Sequence, residues 1–188
     1  MYNYLKVNFT ILLISILLSN ILYADTNFLE WLNRTKVDAI EIGIKEKTYL
    51  DSIKNLKKIN PKVLSYYNNQ PEFKISFSKY YTRNISSKRI QSGINHSIEN
   101  KKILEEVYSK FNIPIEIILA IWGMESNYGK YTGGFNVLES LSTLAYASRR
   151  NAFFKKEFLN TIKIIDSGLI SKELLQGSWA GAMGQSQF

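Results

Sequence analysis

Apolar positions in residues 27–42 (NFLEWLNRTKVDAIEI) recur at helical spacing, with Phe28, Trp31, Leu32 and Ile40 as one stripe. Gly43 interrupts the run, and Thr48 is placed to cap a second, short helix, YLDSIKNL. Residues 59–79 carry two prolines and an Asn-Asn pair, which predicts an extended connection across a surface. Periodicity resumes at Ser86 and predicts one long helix to about Phe111, with Ile90, Ile94, Ile98, Val107 and Phe111 facing inward. In NIPIEIILAIWGM, Pro114 suits a first helical position and Glu116 a first turn. Isoleucines, Leu119 and Trp122 then run right round the helix, the pattern of a core helix. VLESLSTLAYA and NAFFKKEFLNTIKIIDSG predict two amphipathic helices, SKELLQ a short element, and GSWAGAMGQSQF closes the chain. The fold class expected from this pattern is mostly α.

Composition adds a globular chain of 188 residues, 45% hydrophobic and 13% aromatic. Residues 1–24 stand apart. Lys6, the apolar run Phe9–Leu18 and the small Ala24 have the layout of a secretory signal peptide, leaving 25–188 as the domain and placing it in the periplasm. An uncleaved membrane anchor, and so membrane association, stays open, although Asn8, Ser15, Ser19 and Asn20 interrupt the apolar stretch. There is no cysteine. That excludes disulfides, thiolate metal sites, a cysteine nucleophile and an amino-terminal lipid anchor. The net charge of +8 favours a polyanionic neighbour. Outside the cytoplasm this means wall polymer or membrane surface rather than nucleic acid; a lysine-rich composition bias explains the charge equally well. Oligomeric state cannot be read from the sequence.

The chemistry available is narrow. His96 is the single histidine and lies in a polar helical stretch, NHSIEN. It is expected at the surface, which leaves no histidine for a hydrolytic triad and too few ligands for a metal site. No metal or cofactor is expected. Glu116, Glu139, Glu157 and Glu173 fit solvated helix faces. Glu125 is different: it comes at the carboxyl end of the apolar helix, before Gly-rich YGKYTGG. An apolar setting and the negative helix end would both favour its neutral acid form, as a proton donor to a leaving-group oxygen requires. An exposed terminal glutamate with no task fits its position as well.

GMESNYGKYTGGFNVLESLSTLAY resembles the E-[ST]-x-[WYF]-G stretch of lytic transglycosylases, and GSWAGAMGQSQF resembles the G-S-x-A-G-A-M-G-x-x-Q-F block of their membrane-bound B branch. KYYTRNISSKRIQSG is similar to that branch's substrate-cleft segment. The resemblance covers most of residues 28–188. It implies a lysozyme-like helical fold and cleavage of the MurNAc–GlcNAc bond of peptidoglycan glycan strands to a 1,6-anhydromuramyl product, with one glutamate as acid and then base. An internal hydroxyl at high effective molarity replaces water, so the second carboxylate of ordinary glycosidases is not needed. By motif position, Glu125 is implied as the acid/base, Ser178 as a hydroxyl holding the catalytic carboxyl, Gln187 as a saccharide or carboxyl contact, and Tyr80 as the cleft tyrosine. Arg149 and Arg150 match an arginine pair that meets muramyl carboxylates, with an approach one residue shorter. Each has a plainer reading: packing for Tyr80, a helix start for the arginines, an N-cap for Ser178, and tight-turn roles for Gly181 and Gly184. The family's chain continues past the Q-F pair, so 25–188 is expected to be the amino-terminal portion of the catalytic domain, incomplete at the C-terminus. The alternative to an active enzyme is then an inactive, truncated wall-binding remnant; a membrane-anchored partner-binding helical protein is a third reading.

Overall fold

The computed structural model describes residues 26–69 and 75–187. The expected leader lies outside the described residues. Among the described residues no helix is long and apolar enough to cross a membrane. They form helices α1 (26–41), α2 (Glu46–Ile53), α3 (Pro61–Asn68), α4 (Phe77–Asn84), α5 (Ser87–Glu99), α6 (Lys101–Phe111), α7 (Ile115–Ser126), α8 (Val137–Ala147) and α9 (Asn151–Asp166), with a 3-10 turn at Lys172–Leu174. Two short strands, β1 (Phe135–Asn136) and β2 (Gln176–Gly177), pair antiparallel. The mostly α expectation holds.

The chain divides into two compact units that interleave along the sequence. The first takes the described residues up to Pro61 and Leu141–Lys172; the second takes Lys62–Ser140 and the residues from Glu173 on. In the first unit, α1 buries Phe28, Leu32, Thr35 and Ala39, spaced four, three and four apart. Ile40, expected in this stripe, faces out because Ala39 holds the inner position. Helix α9 supplies Phe154, Phe158, Leu159 and Ile162. Phe28, Trp31, Tyr49, Tyr146 and Phe158 form a chain of edge, stacked and tilted ring contacts at 5.4–6.5 Å. Each side chain of this size contributes roughly 1.5–3 kcal/mol when fully buried. The buried Tyr49 hydroxyl donates to the Leu32 carbonyl at 2.7 Å.

Several boundaries differ from the sequence reading. Helix α2 starts at Glu46, so Thr48 lies inside it and donates its hydroxyl to Asp166 instead of capping. The expected connection over 59–79 contains α3, which opens at Pro61 where a missing N–H costs nothing, and the start of α4, capped by Ser76 accepting from the Lys79 N–H. The long helix from Ser86 breaks at Asn100 into α5 and α6.

The largest correction concerns which helix is enclosed. Helix α8, which reads as amphipathic, is buried at every position from Ser140 to Ala145. Its small hydroxyl residues pack without bulk: the Thr143 hydroxyl accepts the Asn60 N–H at 3.0 Å, while the buried Ser140 hydroxyl has no hydrogen-bond partner among the described residues. Helix α7, expected in the core, leaves Ile117, Ile121 and Met124 exposed and buries only Gly123 and Ser126.

Candidate active site

In the second unit, α7 packs against α5 and α6. Ile90, Ile94, Ile98 and Phe111, expected inside, are all exposed and Val107 is half-buried, while Gly93 on α5 and Leu104 on α6 are buried. Glu125 is the penultimate residue of α7, and beyond Ser126 the backbone takes three left-handed residues in a row, Asn127, Tyr128 and Gly129, with φ of 51°, 60° and 78°. Only glycine takes this conformation freely; the other two cost about 1–2 kcal/mol each.

A set of contacts offsets that cost. The Asn127 and Tyr128 N–H groups donate to the carbonyls of Gly123 and Trp122 at 3.2 Å each. The buried Ser126 hydroxyl accepts the Gly129 N–H at 2.9 Å and donates to Trp122 at 3.3 Å. The Tyr128 hydroxyl donates to the Arg89 carbonyl at 3.1 Å. Its ring lies beside His96 (4.9 Å) and edge-on to Trp122 (5.5 Å). A Cβ at Gly93 would sit 2.6 Å from the Tyr128 hydroxyl oxygen, and one at Gly123 would sit 2.7 Å from the ring. The two glycines leave the slot this ring fills.

The second motif block, GSWAGAMGQSQF, is stitched to this loop. β1 pairs with β2 in the register Phe135↔Gly177 and Asn136↔Gln176, and the Val137 N–H donates to the Leu175 carbonyl. Gly133, at φ 95°, faces the backbone of Gly177, where a Cβ would meet its carbonyl atoms at 2.1 Å. The Gln185 amide oxygen accepts from the Trp122 indole at 2.7 Å. Ser178 Oγ accepts the N–H groups of Ala180 and Ala182, and positive φ at Gly181 and Gly184 shapes the turn. Helix α3 docks onto these loops through Tyr66 against Phe135 and Tyr67 against Trp179.

Four of the six expected site residues, Tyr80, Glu125, Ser178 and Gln187, fall in this unit; Arg149 and Arg150 fall in the other. The Glu125 carboxylate is exposed and takes no hydrogen bond among the described residues, so the apolar enclosure expected for it is corrected: the side chain is open to solvent. Tyr80 lies on α4, partly exposed, beside the exposed Tyr81. The Gln187 amide donates to the carbonyls of Thr132 at 3.1 Å and Gly184 at 2.7 Å. Arg150 is the N-cap residue of α9, and its guanidinium lies 4.4 Å from the Phe153 ring centroid. His96 stays partly exposed at the surface, as expected, while its ring lies tilted against both Trp122 and Tyr128 at 5.0 and 4.9 Å; its Nδ1 approaches Glu99 at 3.0 Å without the alignment of a hydrogen bond. Among the described residues no three of His, Cys, Asp and Glu gather as metal ligands. The outer face of α7 carries a groove of about 440 Å³ lined by Ile113, Ile117, Ile121, Trp122 and Gln185, which Glu125 does not line. Sequence reasoning missed Ser126, Tyr128, His96 and Gln185 as parts of the site. The available signal was Gly93 and Gly123, since glycine inside a helix costs about 1 kcal/mol against alanine and marks a close approach when retained.

Residues 27–188 match the family model for the transglycosylase SLT domain. The chain belongs to the transglycosylase SLT domain family. Among curated relatives, the membrane-bound lytic murein transglycosylase B of Escherichia coli K12 is 30% identical over 111 residues, which is 58% of this chain and 31% of that protein. Among solved structures, SltB3 from Pseudomonas aeruginosa in complex with NAG-NAM-pentapeptide superposes with a TM-score of 0.79 at 35% identity, over 86% of this chain and 43% of that one. The E. coli lytic transglycosylase Slt35 in complex with calcium shares the fold, with a TM-score of 0.72 at 24% identity, over 84% of this chain and 50% of that one. The chain thus spans half or less of the length of these relatives. Within the family its fold is the mostly helical, lysozyme-like one that the motifs imply.

Proposed function

We propose that this SLT-domain chain acts on peptidoglycan glycan strands as a lytic transglycosylase in the periplasm, with Glu125 as its single acid/base. The observation that carries the reading is the placement of Glu125. It stands solvent-accessible in the last turn of α7, and a bonded left-handed loop fixes the backbone just beyond it. The complex of SltB3 with a NAG-NAM-pentapeptide, at 35% identity, supports the substrate class.

In this mechanism the Glu125 carboxyl gives its proton to the glycosidic oxygen as the muramyl C1–O bond breaks. The muramyl O6 then bonds to C1, and the Glu125 carboxylate takes the O6 proton. The products are a free GlcNAc hydroxyl and a 1,6-anhydromuramyl end, and no water is consumed. Ser178 supports the carboxyl in this scheme: its oxygen accepts two backbone N–H groups, which leaves the hydroxyl hydrogen to donate. Gln187 has its amide nitrogen committed to Thr132 and Gly184, so its oxygen is the atom that would meet saccharide. Tyr80 offers a ring face to the sugar; the assignment of Arg149 and Arg150 to muramyl carboxylates is carried by motif position alone.

The test is incubation with purified murein sacculi and mass spectrometry of the soluble products. Anhydromuropeptides are expected from the wild type. Glu125→Gln keeps the shape but cannot supply the proton, and its rate should fall by about 10²–10⁴-fold. Sacculus binding without product would support the wall-binding remnant instead, and products from Glu125→Gln at the wild-type rate would remove Glu125 from the mechanism.

A further inference from the structure

Tyr128 occupies a place that the acid/base scheme does not use. It is the middle residue of three left-handed residues that begin two positions after Glu125, a conformation that tyrosine rarely adopts. Its ring leaves the loop and enters a slot between α5 and α7. Gly93 forms one wall and Gly123 the other, and both are buried. At the floor the hydroxyl donates to the Arg89 carbonyl of α5, and His96 and Trp122 flank the ring. Glycine is disfavoured inside helices, yet each helix spends one at the point where the ring lies.

We propose that Tyr128 is a positioning residue for Glu125: seated between Gly93 and Gly123 and bonded to α5, it fixes the path by which α7 ends and so the direction of the carboxyl. This rests on Glu125 being the acid/base. Helix α7 ends at Ser126 in this conformation because the ring is anchored on a neighbouring helix. A shift of the ring moves the last turn, and a misplacement of about 1 Å at a reacting group costs about 10²-fold in rate. Tyr128 touches neither the substrate nor the transferred proton in this scheme.

The two walls make different predictions. At Gly93 the nearest atom to an added Cβ is the hydroxyl oxygen at 2.6 Å, and the ring carbon Cζ follows at an ordinary 3.4 Å. At Gly123 the ring itself is in the way, with Cζ at 2.7 Å and Cε1 at 3.1 Å. Phenylalanine at 128 therefore makes room for alanine at 93 and not for alanine at 123.

The experiment measures kcat and KM on soluble glycan strands, together with Tm, for wild type, Glu125→Gln, Tyr128→Phe, Gly93→Ala, Gly123→Ala and the two doubles with Tyr128→Phe. Gly93→Ala should lower kcat by about 10²-fold with little change in KM. Adding Tyr128→Phe should restore kcat and Tm to those of Tyr128→Phe alone, and Gly123→Ala should gain nothing from it. Wild-type kcat and Tm together in Gly93→Ala, or equal Tm rescue at both glycines, overturns the wedge. A Tm loss without a kcat loss in Gly93→Ala overturns the positioning role and leaves a structural one. A wild type without product, or an active Glu125→Gln, overturns the acid/base assignment and the positioning role with it, while the Tm rescue pattern still decides whether the wedge exists.

Discussion

Gly133→Ala should break the stitch between the two loops of the site. Two effects add at this position. The backbone φ of 95° is one that an alanine adopts only under strain, at about 1–2 kcal/mol. The new Cβ would also sit 2.1 Å from the carbonyl carbon and oxygen of Gly177 and 2.5 Å from the Ser178 nitrogen. These are backbone atoms, so no side chain can rotate away, and relief requires the β1–β2 pair to part; overpacking of this kind adds about 1–3 kcal/mol. The total of about 2–5 kcal/mol corresponds to a Tm lower by about 4–20 °C for a chain of this size. Gly134→Ala and Gly43→Ala are the controls. An added Cβ meets nothing within 4 Å at either position, and only Gly43 has a positive φ. Calorimetry should therefore rank the losses Gly133 well above Gly43, with Gly134 close to wild type. A Gly133→Ala protein within 2 °C of Gly43→Ala would refute the close approach of residues 133 and 177.

Tyr49→Phe should cost about 0.5–1.5 kcal/mol, the net worth of the second hydrogen bond onto the Leu32 carbonyl inside α1, and urea denaturation reads the loss. Burial, with a smaller effect of Asp38, raises the Tyr49 pKa well above the ordinary tyrosine range. The stability tied to its neutral form is thus complete below about pH 10 and declines above it, and ultraviolet titration should show this phenol ionising after the exposed ones. Asp51 is held down to a pKa of about 2, first by a hydrogen bond from Lys172 and then by one from Lys54. Its contribution is present above about pH 4 and is lost as the pH falls through about 2. Lys172→Met should move the Asp51 carboxyl back towards the ordinary carboxylate range in an NMR titration; an unmoved value would show that the lysine contact is not formed in solution.

The sequence foretells helices best where one stripe faces one core. The stripe of Phe154, Phe158 and Ile162 on α9 is spaced for this, and α9 forms where expected. It misleads where close approach replaces bulk. On α5 the apolar stripe of Ile90, Ile94 and Ile98 dominates the pattern, yet Gly93 faces inward because an aromatic ring from 35 residues later needs the room. The same reversal makes the serine-rich α8 the enclosed helix and the isoleucine-rich α7 an exposed one. Chain position put Glu125 at the carboxyl end of α7, and the glycines put a tight turn at Gly181 and Gly184, because both features answer to local chemistry. The sequence could not show that Gln187 turns its amide nitrogen to the Thr132 carbonyl or that His96 packs against Trp122 and Tyr128, since these partners are distant in sequence.

The interleaving of the two units sets the order in which the molecule can be made. The first unit gains its aromatic centre only once Phe154 and Phe158 of α9 have been synthesised, and by then all of residues 62–140 have preceded them without β2 or the Ser178 turn. Domains that are continuous in sequence can fold one after another as they emerge. Here neither does so, and a proteolytic nick anywhere between 62 and 172 would sever a connection that both halves share.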